Sequence, residues 1–225
     1  MIVLVCLESP SPSLASRAAL RLACGLGDRA KVVVLSVGCE SAGPSFELAR
    51  RSAAVHRIVH LQDPTFKKAG FFTLGMVLAE AARHLEARVI LAGQHSDGEG
   101  QGMVPAALAH HLKAPLFARV EAVQLPANEN EVLHLSLRSG GRLCKVESPL
   151  PAVLTTQPAS AEETSPSAEN TQSSPAVETL SLAQLGIDAS RLVPRPDLLG
   201  AHAPARTAII QHRSFDEAAH ILLRG

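Results

Sequence analysis

Four glycines fall within ten residues in the run Ala92-Gly93-Gln94-His95-Ser96-Asp97-Gly98-Glu99-Gly100-Gln101-Gly102. Glycines at that density let a backbone come close to a ligand, and an alanine-rich stretch of helical character follows at once. Its unpaired N–H groups suit a phosphate. The run matches neither GxGxxG after the first strand nor GxxxxGK[ST], so a dinucleotide fingerprint and a Walker loop are both unsupported. Asp97 and Glu99 suit ribose hydroxyls, or the shape of the loop, better than they suit a paired acid and base. A glycine-rich connector with no ligand is the competing reading.

The remaining reactive side chains form no centre. Cys6, Cys24, Cys39 and Cys144 are scattered without a CxxC pair, and each reads as a small core residue. Ten histidines share no ligand spacing apart from the neighbours His110-His111, which a helix would point to different faces, so no metal site is expected. No Ser-His-Asp or Cys-His arrangement can be picked out, and no catalytic residue is assigned.

The elements that must position the glycine-rich loop follow from periodicity. Short β-branched runs over Ile2–Leu7, Lys31–Val37, Arg57–Leu61 and Arg88–Ala92 alternate with helical stretches near Ser13–Leu26, Ser45–Val55, Thr73–Leu85 and Gly102–Leu112. That alternation predicts an α/β fold with a doubly wound, mostly parallel sheet. In such a sheet ligands sit beyond the carboxyl ends of the strands. The loop Glu8-Ser9-Pro10-Ser11-Pro12, with Ser11 or Ser13 as a helix cap, and the loop Val37-Gly38-Cys39-Glu40 then converge with the glycine-rich run. After Pro115, the runs Leu116–Leu125, Glu131–Leu137 and Arg142–Val146 read as strands of an antiparallel extension, with Ser139-Gly140-Gly141 as a hairpin turn. Residues 151–156 read as one more buried strand.

Residues 1–156 thus form the expected nucleotide-binding domain. Residues 157–179, rich in Ser, Pro, Thr, Glu and Ala, read as a flexible linker. Residues 180–225 read as a C-terminal arm of two short helices, Leu180–Leu185 and Ser214–Leu223, which docks on a partner.

Composition narrows the classes of function. Lys plus Arg and Asp plus Glu each number 21, which gives no charge drive toward nucleic acid or anionic membrane. Trp and Tyr are absent, which removes the usual platforms for stacking bases. No apolar run approaches the roughly 20 residues that cross a bilayer, and the opening lacks a basic signal region, so a cytoplasmic protein without membrane insertion is expected.

Several segments, in order, resemble the β subunits of electron-transfer flavoproteins. They are the opening IVLVCLES, ALRLA, VVVLSVG, AxxHRIVHL, the stretch VILAGQHSDGEGQGMVPAALAHHLKAPL and ESPLPAVLTT, together covering most of residues 1–156. The resemblance implies an adenine-nucleotide α-hydrolase-like fold and a heterodimer in which an α subunit carries most contacts to a shared FAD. The β subunit would hold AMP, or a second FAD in electron-bifurcating relatives, and a dehydrogenase or quinone oxidoreductase would be the redox partner. Carried onto this chain, the nucleotide site would comprise Cys6, Ser9, Pro10, Val37, Gly93, Gln94, His95, Ser96, Asp97, Gly98, Glu99, Gly100, Gln101, Gly102 and Met103. Three departures stand out. The long excursion that usually follows the first strand is missing, the nucleotide loop is one residue shorter than the family pattern with Gln101-Gly102 in place of Gly-Gln or Asn-Gln, and the Ser/Pro-rich stretch 157–179 replaces a segment that helps dock electron donors. A stand-alone adenine-nucleotide sensor like the universal stress proteins and a degenerate structural subunit are the alternatives.

Overall fold

The computed structural model describes residues 1–39, 41–94, 102–128, 132–158 and 175–192, all within one unit, Met1–Arg195. Its centre is the strand β1 (Ile2–Leu7), a run of aliphatic residues that is apolar on both sides. Val3, Val5 and Leu7 enter one core, while Leu4 enters the other with Ile2 and Cys6 beside it. This is the two-faced burial of a parallel sheet covered by helices on each side.

Four more strands extend the sheet around β1: β2 (Lys31–Gly38), β3 (Val55–Gln62), β4 (Val89–Gly93) and β9 (Ala152–Thr156). The short strands β5 (Leu116–Phe117) and β10 (Val177–Leu180) form its edges. The order is β10-β3-β2-β1-β4-β9-β5, and every pairing is parallel. The expected α/β doubly wound sheet is therefore observed.

The direction of each crossover explains which face each helix covers. Helices α1 (Leu14–Cys24) and α2 (Gly43–Arg50) follow β1 and β2 as the chain steps one way across the sheet. Their Ala19, Leu20, Ala23, Phe46 and Ala49 fill the first core. Helices α3 (Phe71–His84) and α4 (Met103–Leu112) lie on connections that step the other way. Their Val77, Leu78, Ala82 and Leu108 fill the second core. Right-handed crossovers require this reversal of face. Because β1 leads away in one direction and β4 in the other, their carboxyl ends flank the topological switch point.

Several boundaries differ from those expected. The second helix ends at Arg50 rather than Val55, because Val55 is buried and pairs with Val32 as the start of β3. The run 116–125 is not one strand. Arg119 adopts φ 59°, which ends β5 and redirects the chain into β6 (Val120–Gln124). Together β6, β7 (Leu133–Ser139) and β8 (Arg142–Ser148) form a separate three-stranded antiparallel sheet, with no ladder joining it to the large one among the described residues. Its inner side, with Val120, Leu133 and Leu135, packs into the first core beside α1. Gly140 and Gly141, at φ 56° and 77°, make the expected two-residue hairpin turn.

The expected linker ends in structure, since Val177–Leu180 adds to the sheet alongside β3. In place of the expected helix 180–185, Leu180 closes the strand and a 3₁₀ turn, Ala183–Leu185, follows it, with a second at Ala189–Arg191. Leu180 and Leu182 are buried in the second core, which fixes this segment by packing rather than by helical propensity. The expected helix 214–223 lies outside the described residues. No described helix is long and apolar enough to cross a membrane.

Candidate functional site at the switch point

Two cross-strand rows define the carboxyl edge. Leu35, Cys6, Ala92 and Thr155 are in register across β2, β1, β4 and β9, and the next step brings Ser36 beside Leu7 and Gly93 beside Thr156. Cys6 and Val37 both pack against the second core, on the α3 and α4 side. Alternation puts Thr155 on the face of Val153, that same side. Thr155 is only 3% exposed, and its hydroxyl has no hydrogen-bond partner among the described residues. The side-chain oxygen Oε1 of Gln94, just past β4, is likewise buried without a partner. A buried polar atom left unpaired costs about 1–3 kcal/mol, so the Thr155 hydroxyl and Gln94 Oε1 call for partners that the described residues do not supply.

The loop after β1 is held from three sides. The Glu8 carboxylate accepts the Ser13 N–H at 3.1 Å and the Ser13 hydroxyl at 2.9 Å. Ser13 caps α1, its Oγ accepting the Ser16 N–H at 3.2 Å. The buried Ser45 hydroxyl of α2 donates to the Glu8 carbonyl at 2.6 Å and to that of Pro10 at 3.4 Å. The Ser9–Pro10 peptide is cis.

Gly93 has a different role from the one its place in a glycine-rich run suggests. A side-chain carbon there would lie 2.5 Å from Ser16 Oγ and 2.8 Å from Ser16 N. Its bare backbone therefore admits the first turn of α1. The end of β4 is fastened further by the Gln94 N–H to the Thr156 carbonyl at 2.9 Å and by the Thr156 hydroxyl to the Ala15 carbonyl at 2.8 Å. These contacts weld the first turn of α1 to the carboxyl ends of β4 and β9.

Of the sequence-predicted site residues, Cys6, Val37, Gly93 and Gln94 gather at this edge. Ser9 and Pro10 belong to the pinned loop beside it. Gly102 caps α4 in the left-handed conformation at φ 61°, and Met103, 42% exposed, opens that helix. The strand polarity puts the start of α4 at the carboxyl end of the sheet. His95, Ser96, Asp97, Gly98, Glu99, Gly100 and Gln101 lie outside the described residues. Sequence reasoning missed Thr155, Thr156 and Ser16 as parts of the site. The signal for the threonines was present, since two hydroxyls close an otherwise aliphatic run.

Electrostatics at the edge favour neutral surroundings next to one fixed charge. Burial, and then the nearby Glu8 carboxylate, push the Cys6 thiol from its ordinary 9.0 up to about 12, so it stays protonated. As whole residues the four cysteines are half-buried, with Cys6 and Cys24 packed against the margins of the two cores. His110 and His111, expected to diverge, both lie against the Phe72 ring, at centroid distances of 6.0 and 4.5 Å. Among the described residues no three metal-ligating side chains come together. A cleft of about 730 Å³ lies elsewhere, on the small sheet, where His134 and Glu147 approach to 3.6 Å. Its ionisable groups are exposed and none of its polar atoms is buried without a partner, so we place the site at the switch point instead.

Comparison with curated proteins finds no match. A family model described as "Electron transfer flavoprotein domain" matches residues 3–185, which include the whole switch-point edge and the strand β10. The chain belongs to the electron transfer flavoprotein domain family.

Proposed function

We propose that this chain is the β-type subunit of a heterodimeric electron-transfer flavoprotein, which holds an adenosine phosphate at the switch point and packs against an α-type subunit. The observation that carries the reading is the family match over residues 3–185, taken with two buried, unpaired polar atoms at the edge where that ligand would lie. The residues fit such a group. Thr155 and Gln94 offer polar contacts, Cys6 and Val37 offer an apolar wall, and the N-terminus of α4 offers N–H groups to a phosphate. AMP is the ligand that the reading favours. The glycine-rich residues 95–101 would complete the phosphate cradle.

A FAD, shared with the α-type subunit and held mostly by it, would supply the redox chemistry. This chain would contribute packing and an electrostatic environment rather than an acid or a base. Residues 180–192 pack on this chain's own core, and the part of the C-terminal arm beyond them would dock on the partner subunit. Electrons would pass between a dehydrogenase or quinone oxidoreductase and the complex, in the cytoplasm.

Co-expression of the full chain with an α-type flavoprotein subunit tests the assembly. A yellow, equimolar complex that survives size-exclusion chromatography is expected. A stable, colourless monomer that ignores the partner would contradict the reading.

A further inference from the structure

We propose that the exposed apolar patch of Phe71, Phe72 and Met103 docks an apolar, carboxylate-fringed surface of the flavin-bearing α-type subunit. The inference rests on the subunit reading above and deepens it by naming the surface of contact.

The three side chains come from two helices, and the packing of those helices brings them together. Both begin at the carboxyl end of the sheet, α3 after β3 and the 3₁₀ turn Pro64–Lys68, and α4 after β4. Their backbones are in contact at Gly75, where a side-chain carbon would lie 2.7 Å from both the Ala107 carbonyl carbon and the Leu108 nitrogen. Phe71 stands four residues before Gly75, and Met103 four residues before Ala107, which is about one helical turn in each case. The first turns of α3 and α4 are therefore neighbours. Phe72 leans on α4 as well, its ring against His110 and His111. Yet Phe71, Phe72 and Met103 stay 44%, 52% and 42% exposed.

Among the described residues only seven large apolar side chains are exposed, and three of them fall in this patch. Aromatic and methionine side chains gathered on a surface are the composition of an interface centre. The patch adjoins the candidate site, since α3 and α4 cover the face of the sheet that Cys6 and Val37 line. Its margin is positive. Lys67 and Lys68 end the 3₁₀ turn just before Phe71, both are exposed, and neither forms an ion pair among the described residues. No acidic residue stands in the first turn of α3 or α4 to offset the positive end of either helix. A two-fold pairing of this surface with itself would set the lysines of both copies against each other, so a second copy of this chain fits poorly. A different chain, apolar at its centre with carboxylates around it, fits well, and the subunit reading supplies one.

Biolayer interferometry between the full-length chain and a separately purified α-type flavoprotein subunit tests the surface. Phe71→Ser combined with Met103→Ser is expected to weaken binding by about tenfold or more, as truncation at the centre of an interface does. Leu143→Ser removes a comparably exposed apolar side chain from the small sheet and should leave the affinity within about twofold of wild type. Lys67→Glu combined with Lys68→Glu should weaken binding about fivefold at roughly 50 mM salt, and less at about 500 mM. Wild-type affinity in the Phe71 and Met103 double variant would overturn the proposal and leave the subunit reading standing. So would an equal loss with Leu143→Ser, or lysine reversals that change nothing. A chain that dimerises by itself and loses the dimer in the double variant would give the patch to a second copy, and binding to phosphatidylserine vesicles lost in that variant would give it to a lipid surface. Either result sinks the proposal. If the double variant fails to fold, hydrogen exchange on the wild type decides alone. Amides of 71–75 and 103–107 should gain protection when the partner is added, and unchanged exchange there is the contrary result. A wild-type chain that binds no α-type subunit would end the subunit reading and this inference with it.

Discussion

Cys6 shows how a side chain at the edge of the sheet reports on its surroundings. Its thiol is pushed up to about 12 first by burial and then by the Glu8 carboxylate. Since the folded chain holds that proton more tightly than the unfolded one, the stabilisation is complete below the ordinary value of 9.0 and is lost as pH rises from there toward 12. The melting temperature of the wild type should therefore fall between pH 8.5 and 10.5, and fall less steeply in Cys6→Ala. Cys24, also raised by burial, keeps some of the slope in the variant. Identical slopes for the two proteins would show that Cys6 is not held in this way. The candidate site was only partly legible at this scale. Val37 and Gly93 could be named from loops at strand ends, and Cys6 through the family resemblance. Thr155 was signalled only as a hydroxyl closing an aliphatic strand, because whether that hydroxyl is buried without a partner depends on what packs over it. The Glu8 carboxylate belonged to a loop already singled out, but its bonds to Ser13 depend on how that loop folds back.

At the scale of elements, the first turn of α1 is fitted to the end of β4 through Gly93. A glycine in a glycine-rich loop invites a ligand-based explanation, and here the close neighbour is a helix of the same chain. Gly93→Ala should therefore destabilise the protein with no nucleotide present, by about 2 kcal/mol, because a methyl group meets the Ser16 hydroxyl and the Ser16 main-chain nitrogen, the latter unable to give way. Thermal melts of ligand-free protein should show a loss of about 5 °C, and an unchanged melting temperature would show that the contact is looser than described. The parallel strands and their helices were legible because each strand is a short aliphatic run and each helix has an apolar stripe. The breaks were not. Arg119 takes a left-handed conformation that its type does not advertise, and the 3₁₀ turn after β10 is held by Leu182 in the core rather than by a helical pattern. The strand β10 itself hides at the end of a polar stretch, because an edge strand with only Leu180 buried needs few apolar residues.

For the whole molecule, the doubly wound order and the reversal between β1 and β4 place a topological switch point at the carboxyl ends of these strands. The membership of this chain in the electron transfer flavoprotein domain family accords with that architecture. The chain has a formal net charge of zero, so recognition of a partner subunit would rest on fitted apolar and polar surface rather than on long-range charge. The central claim is that the switch point grips an adenosine phosphate. It is tested most directly by acid extraction of the complex purified with its α-type partner, followed by chromatographic quantification of nucleotides against protein. The account predicts one equivalent of AMP for each copy of this chain, in addition to the FAD of the complex. A flavin-loaded complex that yields no AMP, and no adenine nucleotide beyond that FAD, would contradict it.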